Sequence, residues 1–145
     1  MQSSPQELLT PEIREALQSG GLAHLVTMNP DGTPQVSVVW VGVEDDEIVS
    51  GHIPEVQKIR NVRRDPRVVL SMQTEGRNDF GLDHHIIVHG TARVTEGGAA
   101  DLLQRLAHVY LGPDVKFPPF DNPPPGHVLR ITPRRIQGDG PGGHM

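Results

Sequence analysis

The chain has 145 residues, 35% of them hydrophobic and none of them cysteine, and a formal net charge of −5 at pH 7. That length buries one core of useful size and hardly two, so one domain is expected over residues 1–138 with a flexible tail at 139–145. Without cysteine there are no disulfides, thiolate nucleophiles or cysteine-zinc sites, so the chemistry must come from other side chains or from a bound cofactor. No apolar run approaches the roughly 20 residues that span a bilayer, and Met1 to Glu7 has neither a basic n-region nor an apolar h-region. No membrane span and a cytoplasmic location are the expectation.

In chain order, Thr10 caps a predicted helix over 11–19, with Pro11 in its first position, Ile13 and Leu17 on one face, and Gly20-Gly21 ending it. Residues 22–28 are apolar, Asn29-Pro30-Asp31-Gly32 signals a turn, and 33–43 is rich in β-branched residues, which together read as a hairpin. Glu44-Asp45-Asp46 makes the next turn and 47–52 a third strand. These connections are too short for parallel crossovers, which speaks against a Rossmann fold. Pro54 opens a basic helix that stops at Asp65-Pro66, 67–73 returns to a strand, 74–79 is a loop, and 80–94 is extended again. Ala99, Leu102, Leu103, Leu106 and Val109 then recur at helical spacing up to Gly112. A proline-rich loop over 113–125 leads to a last strand over 127–137, and flexibility is expected from Gly138 on. Six or so antiparallel strands in this length favour a small barrel, because closure removes exposed edges.

Charge is concentrated. From Lys58 to Arg67 five basic residues (Lys58, Arg60, Arg63, Arg64, Arg67) face one acid, Asp65. An acidic body with one cationic segment and only five aromatic residues suits a small anionic ligand better than a nucleic acid, with a solvated helix face as the bland alternative. Of the eight histidines, His84, His85 and His89 look like a metal cluster. On a strand, however, His85 and His89 share a face about 13 Å apart and His84 faces away, so no metal site is expected. There is no Gly-x-Ser-x-Gly elbow and no phosphate-binding Gly-x-x-x-x-Gly-Lys loop, and no catalytic side chain is assigned.

Three segments, Asp31-Gly32-Thr33-Pro34-Gln35-Val36-Ser37, then Lys58-Ile59-Arg60-Asn61-Val62-Arg63-Arg64-Asp65-Pro66-Arg67, then Gly90-Thr91-Ala92-Arg93-Val94, resemble in order and spacing the pyridoxamine 5'-phosphate oxidase-like split-barrel proteins. The resemblance covers residues 10–137. The basic helix, and the lack of an extended C-terminal pyridoxal-binding region, resemble the branch of F420-dependent flavin/deazaflavin oxidoreductases.

The resemblance implies a mainly β chain, a six-stranded antiparallel split β-barrel of the FMN-binding-protein type, forming a homodimer with a cofactor in each of two interfacial clefts. It implies an oxidoreductase passing a hydride from reduced F420 to an unsaturated, enone- or quinone-like acceptor. The alternatives are an FMN-dependent oxidase or flavin reductase, and a non-catalytic cofactor-, haem- or tetrapyrrole-binding protein. Implied cofactor contacts are Lys58, for the phosphate, then Ile59, Arg60 and Asn61 of the helix motif, Gln35 and Ser37 of the second strand, Ser50 and Gly51 of the third, and His85 reaching the other subunit's cofactor. His52 departs from the pattern, standing where many relatives carry a small hydroxyl residue.

Geometry constrains these contacts. Lys58 and Asn61 share a helix face while Arg60 lies about 200° from Lys58. Gln35 and Ser37 share one side of a strand, with Val36, Val38 and Trp40 on the other. Whether the 113–125 loop, with Phe117 and Phe120, caps an acceptor pocket or merely connects stays open at this point.

Overall fold

Side-chain caps set the first two helices of the computed structural model, which describes residues 3–139. Ser4 opens α1 (Pro5–Leu8): its hydroxyl accepts from the Glu7 N–H at 3.1 Å, and Glu7 Oε1 accepts from the Ser4 N–H at 3.4 Å. The sequence reading did not include this helix, although its capping box is visible there. Thr10 Oγ1 accepts from Ile13 N–H at 3.3 Å to start α2 (Pro11–Leu17), which buries Ile13 and Leu17 and ends two residues earlier than expected.

The strands are β1 (Ala23–Met28), β2 (Pro34–Val39), β3 (Gly42–Glu44), β4 (Glu47–His52), β5 (Arg67–Arg77), β6 (Asp83–Glu96) and β7 (His127–Asp139). The other helices are α3 (Gln57–Arg64) and α4 (Ala99–Tyr110). Among the described residues the strands form one seven-stranded sheet in the order β2-β1-β5-β6-β7-β4-β3, every pair antiparallel.

Seven strands replace the expected six because the predicted strand over 33–43 breaks at Trp40-Val41. Its first part pairs with β1 and its second with β4. Those two parts are the opposite edges of the sheet, yet Val39 and Gly42 are three residues apart and can be separated by at most about 11 Å. The sheet must therefore curl until its edges nearly meet, which makes it a barrel.

Other boundaries moved for local reasons. Pro54 does not open α3; the chain bends at Ile53 and Pro54, the N-cap Val56 is extended, and the helix starts at Gln57. β5 continues through the expected loop to Arg77, and Asn78 Oδ1 turns the chain by accepting from the N–H groups of Phe80 (2.9 Å) and Leu82 (3.0 Å). On α4, Ala107 takes a fully buried position and Val109 is half exposed, although Val109 was expected on the apolar face. β7 runs past its expected end: Gly138, read as a flexibility signal, pairs with Ile86, and a Cβ there would lie 2.1 Å from the His85 carbonyl oxygen. Close backbone approach is what that glycine supplies. The rest of the expected tail, 140–145, lies outside the described residues.

Leu25, Ile48, Leu70, Met72, Val88, Leu129 and Ile131 fill the barrel, each at most 2% exposed, and α2 and α3 add Ile13, Leu17, Ile59 and Val62. A smaller cluster lies under α4, where Ala99, Leu102 and Leu106 cover Val49 and Val128.

Candidate functional site

The basic cluster resolves into four engaged cations and one that is not. Arg63 pairs with Glu55 and Glu96, and Arg64 donates to the Met28 carbonyl. Arg67 holds Asp65 at 2.7 Å, and its hydrogen bond pulls the Asp65 carboxyl down to about 2. Arg60 donates to Gln57 Oε1 at 2.9 Å and to the Glu55 carbonyl at 3.2 Å. Lys58 has no hydrogen-bond or ion-pair partner among the described residues. It is half-buried, and burial lowers its ammonium pKa. A partly desolvated, unpaired cation is costly unless an anion completes it.

Lys58 lines a cleft of about 190 Å³ together with His52 and Gly51, and with Val38, Val39, Trp40, Leu103 and Phe117 as apolar lining. Three larger surface hollows, about 870 Å³ beside α2, about 660 Å³ beside the end of β5 and about 350 Å³ at Arg67 and His89, contain none of the implied cofactor contacts. Trp40 stacks on Tyr110 with ring centroids 5.2 Å apart and planes 14° from parallel, and Phe117 tilts against its indole, also at 5.2 Å. Gln104 clamps the proline-rich loop over this cluster: its Nε2 donates to the Val115 carbonyl at 2.8 Å, and its Oε1 accepts from Phe117 N–H at 3.0 Å. Phe117 thus joins the cleft, while Phe120 stays half exposed.

β2 is amphipathic in the unusual sense. Gln35 and Ser37 pair with Thr27 and Leu25 and share their inward face, whereas Val36 and Val38 point outward, 60% and 54% exposed. Ser37 Oγ is buried without a partner. Native structures rarely leave such a group unsatisfied, yet Ser37 does not line the Lys58 cleft, which meets β2 at Val38 and Val39. Gln35 Oε1 accepts weakly from Thr27 Oγ1 at 3.4 Å and from Asn61 Nδ2 at 3.5 Å.

Asn61 itself is not placed to touch a ligand. It is fully buried, donating to Thr27 Oγ1 and Asn29 Oδ1, both at 3.0 Å, and accepting from Gln57 Nε2 at 2.8 Å. Its amide is saturated, and its work is to tie α3 to the β1–β2 hairpin and to position Gln35. Ile59 is buried in the core with its N–H donated to the Val56 carbonyl. Arg60 lies exposed and engaged with its own helix turn.

Gly51 lines the cleft; a Cβ there would come within 3.1 Å of the Ala99 carbonyl oxygen, so α4 packs closely at that point. Ser50 Oγ, buried, lies 2.9 Å from His52 Nε2. Burial first, then the charges of Lys58 and His127, push the His52 imidazole down to about 4. His127 Nδ1 in turn lies 2.9 Å from Glu96 Oε2, at ion-pair distance but without hydrogen-bond alignment.

His85 pairs with Gln73 and Asp139 near the start of β6 and is not among the cleft-lining residues of its own chain. His89 is engaged by Gln137 at 3.0 Å and Arg135 at 3.1 Å. Among the described residues no group of three or more His, Asp or Glu is arranged to hold a metal ion. The sequence reading did not assign Trp40, Leu103 or Gln104 to the site; their signal was only an apolar residue at a strand end and a helix facing a proline-rich loop.

The profile described as pyridoxamine 5'-phosphate oxidase matches residues 9–138. The chain belongs to that family. No curated protein matches the chain. Among solved structures, this family member resembles an F420 reductase at 24% identity, with 88% of this chain and 98% of the other covered and a TM-score of 0.70. It resembles a conserved hypothetical protein from Mycobacterium tuberculosis at 27% identity, with 88% and 81% covered and a TM-score of 0.67. A haem-binding protein from Mycobacterium smegmatis shares the fold at 18% identity and a TM-score of 0.63, with 99% of this chain and 56% of the other covered. The mainly β split barrel with its antiparallel sheet is thus the family fold.

An unpaired ammonium in an apolar, aromatic-lined cleft fits an anionic, ring-bearing cofactor. No helix among the described residues is long and apolar enough to cross a membrane.

Proposed function

We propose that this member of the family is an F420H2-dependent oxidoreductase, working in the cytoplasm as a homodimer with the cofactor between subunits. The observation that carries the reading is Lys58, the one uncommitted cation of the basic helix, at the mouth of a cleft next to a strand whose polar face is turned inward. Lys58 would hold the phosphodiester of F420, and Ser37 Oγ and Gln35 Nε2 would donate to the ring edge or phosphate. When bound, F420 supplies a hydride for an unsaturated, enone- or quinone-like acceptor. Trp40, Leu103 and Phe117 would exclude water from the reacting face. Val36 and Val38, apolar and uncovered by this chain, are the natural seat of a second copy, which would bring the partner subunit's His85 toward the cofactor.

FMN also carries a phosphate, so Lys58 alone does not choose between the two. Fluorescence titration of the purified protein with F420 and separately with FMN decides it, with Lys58→Ala alongside. Tight F420 binding that weakens about tenfold or more in the variant, about 1.4 kcal/mol, supports the reading. Preference for FMN moves the protein to the oxidase branch. Binding of neither, with uptake of haem instead, makes it a non-catalytic carrier.

A further inference from the structure

His52 is the residue at which this chain departs from its family pattern, and its surroundings are unusual for a histidine. Its imidazole lines the cleft beside Lys58, and its Nε2 is turned to Ser50 Oγ at 2.9 Å. The charged and titratable groups around it are Lys58 from α3 and His127 from β7, with Glu96 at the end of β6 engaged behind His127. No carboxylate pairs with His52 among the described residues. Every charge that acts on it directly is basic, so a proton on His52 has no counter-charge until an anion arrives.

We propose that His52 is the proton-linked half of the anion site: an anion settling on Lys58 draws a proton onto His52, and the imidazolium then holds that anion from β4. This rests on the reading that Lys58 receives the anionic group of the cofactor. The Ser50 hydroxyl suits both states of the ring. It donates to Nε2 when the imidazole is neutral, and it rotates to accept from Nε2–H when the imidazole is charged, so neither state leaves an orphan.

In the free protein the ring is held near 4 by burial and by its basic neighbours. An anion on Lys58 cancels part of that repulsion and adds an attraction, so the bound-state midpoint lies higher. Between the two midpoints, binding takes up a proton and affinity rises as pH falls, by at most about tenfold per pH unit. Below about 4 the effect levels off. A serine or threonine at this position, as in the family pattern, would bind with no such slope.

The test is NMR titration of the His52 ring between pH 4 and 8, in free protein, with sulfate and with F420, with calorimetry of F420 binding to wild type and His52→Gln. Glutamine keeps a nitrogen or oxygen near Ser50 but takes no proton, and the ligand's own titration cancels between the two proteins. The expected result is a rise of the His52 midpoint by about one unit or more with either anion, absent in Lys58→Ala, and proton uptake near pH 6 that His52→Gln lacks.

If F420 binds and the His52 midpoint stays put, the inference is overturned while the cofactor reading stands. If F420 does not bind but sulfate raises the midpoint, the cofactor reading fails and the coupled anion site stands. If F420 does not bind and sulfate does not raise the midpoint, both fall. Should His52→Gln not fold, the wild-type midpoints decide alone.

Discussion

β4 and β2 sit on opposite sides of the barrel seam and are built on opposite rules. On β4, Ile48 fills the interior at 0% exposed and Val49 lies outside at 1%, covered by α4, so this chain supplies the packing on both faces. On β2 only Val39 of the inward residues joins the core, the others being Gln35 and Ser37, and Val36 and Val38 are exposed outward. The first strand is complete within one chain. The second leaves two valines bare, and on the proposed reading a second subunit would cover them.

Four measurements sharpen or break that contrast. The largest effect is expected from Ile48→Ala, a cavity in a filled wall, which should cost about 2–5 kcal/mol in urea denaturation. Val36→Ala should change the stability of the monomer by no more than about 0.5 kcal/mol, while Val36→Ser with Val38→Ser should shift sedimentation from dimer toward monomer. Equal losses at Ile48 and Val36 in the monomer would end the contrast.

Next comes acid. His52 is neutral in the fold with a midpoint depressed to about 4 from an ordinary value of 6.5, so the unfolded chain takes the proton first. Its contribution is fully present above about pH 6.5 and is lost as pH falls to about 4, up to about 3 kcal/mol, and His52→Gln should flatten the slope over that window.

Third, Asn61→Ala should cost about 1–3 kcal/mol by orphaning buried partners on β1, and should also weaken F420 binding because Gln35 loses a neighbour. Smallest is Lys58→Met, whose stability should lie within about 0.5 kcal/mol of wild type or above it, since a desolvated cation is removed. A clear loss of stability there would make Lys58 a structural residue and remove the ligand argument.

What the sequence revealed was mostly local. Thr10 with Pro11, the Asn29-Pro30-Asp31-Gly32 turn and the Asp65-Pro66 stop each satisfy their own backbone within a few residues, and the structure has a cap, a turn and a helix end at each. That Gln35 and Ser37 share one side followed from strand alternation, since period two does not depend on what the strand meets, but which side is inward did not.

The misses were non-local. Nothing within residues 33–43 says that Trp40-Val41 must bend, because the reason is that the flanking segments pair with strands on opposite edges. The bonds that Asn61 and Arg60 make were also out of view, because a motif names residues without saying which neighbours they meet. Gly138 shows the same limit: glycine signals freedom and close approach alike, and only the partner strand tells them apart.

The bend at Trp40 has a practical consequence. It holds the only tryptophan of the chain, stacked on the only tyrosine, at the lip of the cleft and on the joint where the sheet's two edges are linked. Its emission is therefore a native optical probe that needs no label. Quenching by energy transfer to a bound deazaflavin would report occupancy, and a red shift with loss of the Tyr110 stack would report the seam coming apart, so one fluorophore tracks ligand arrival and barrel opening as two distinguishable signals.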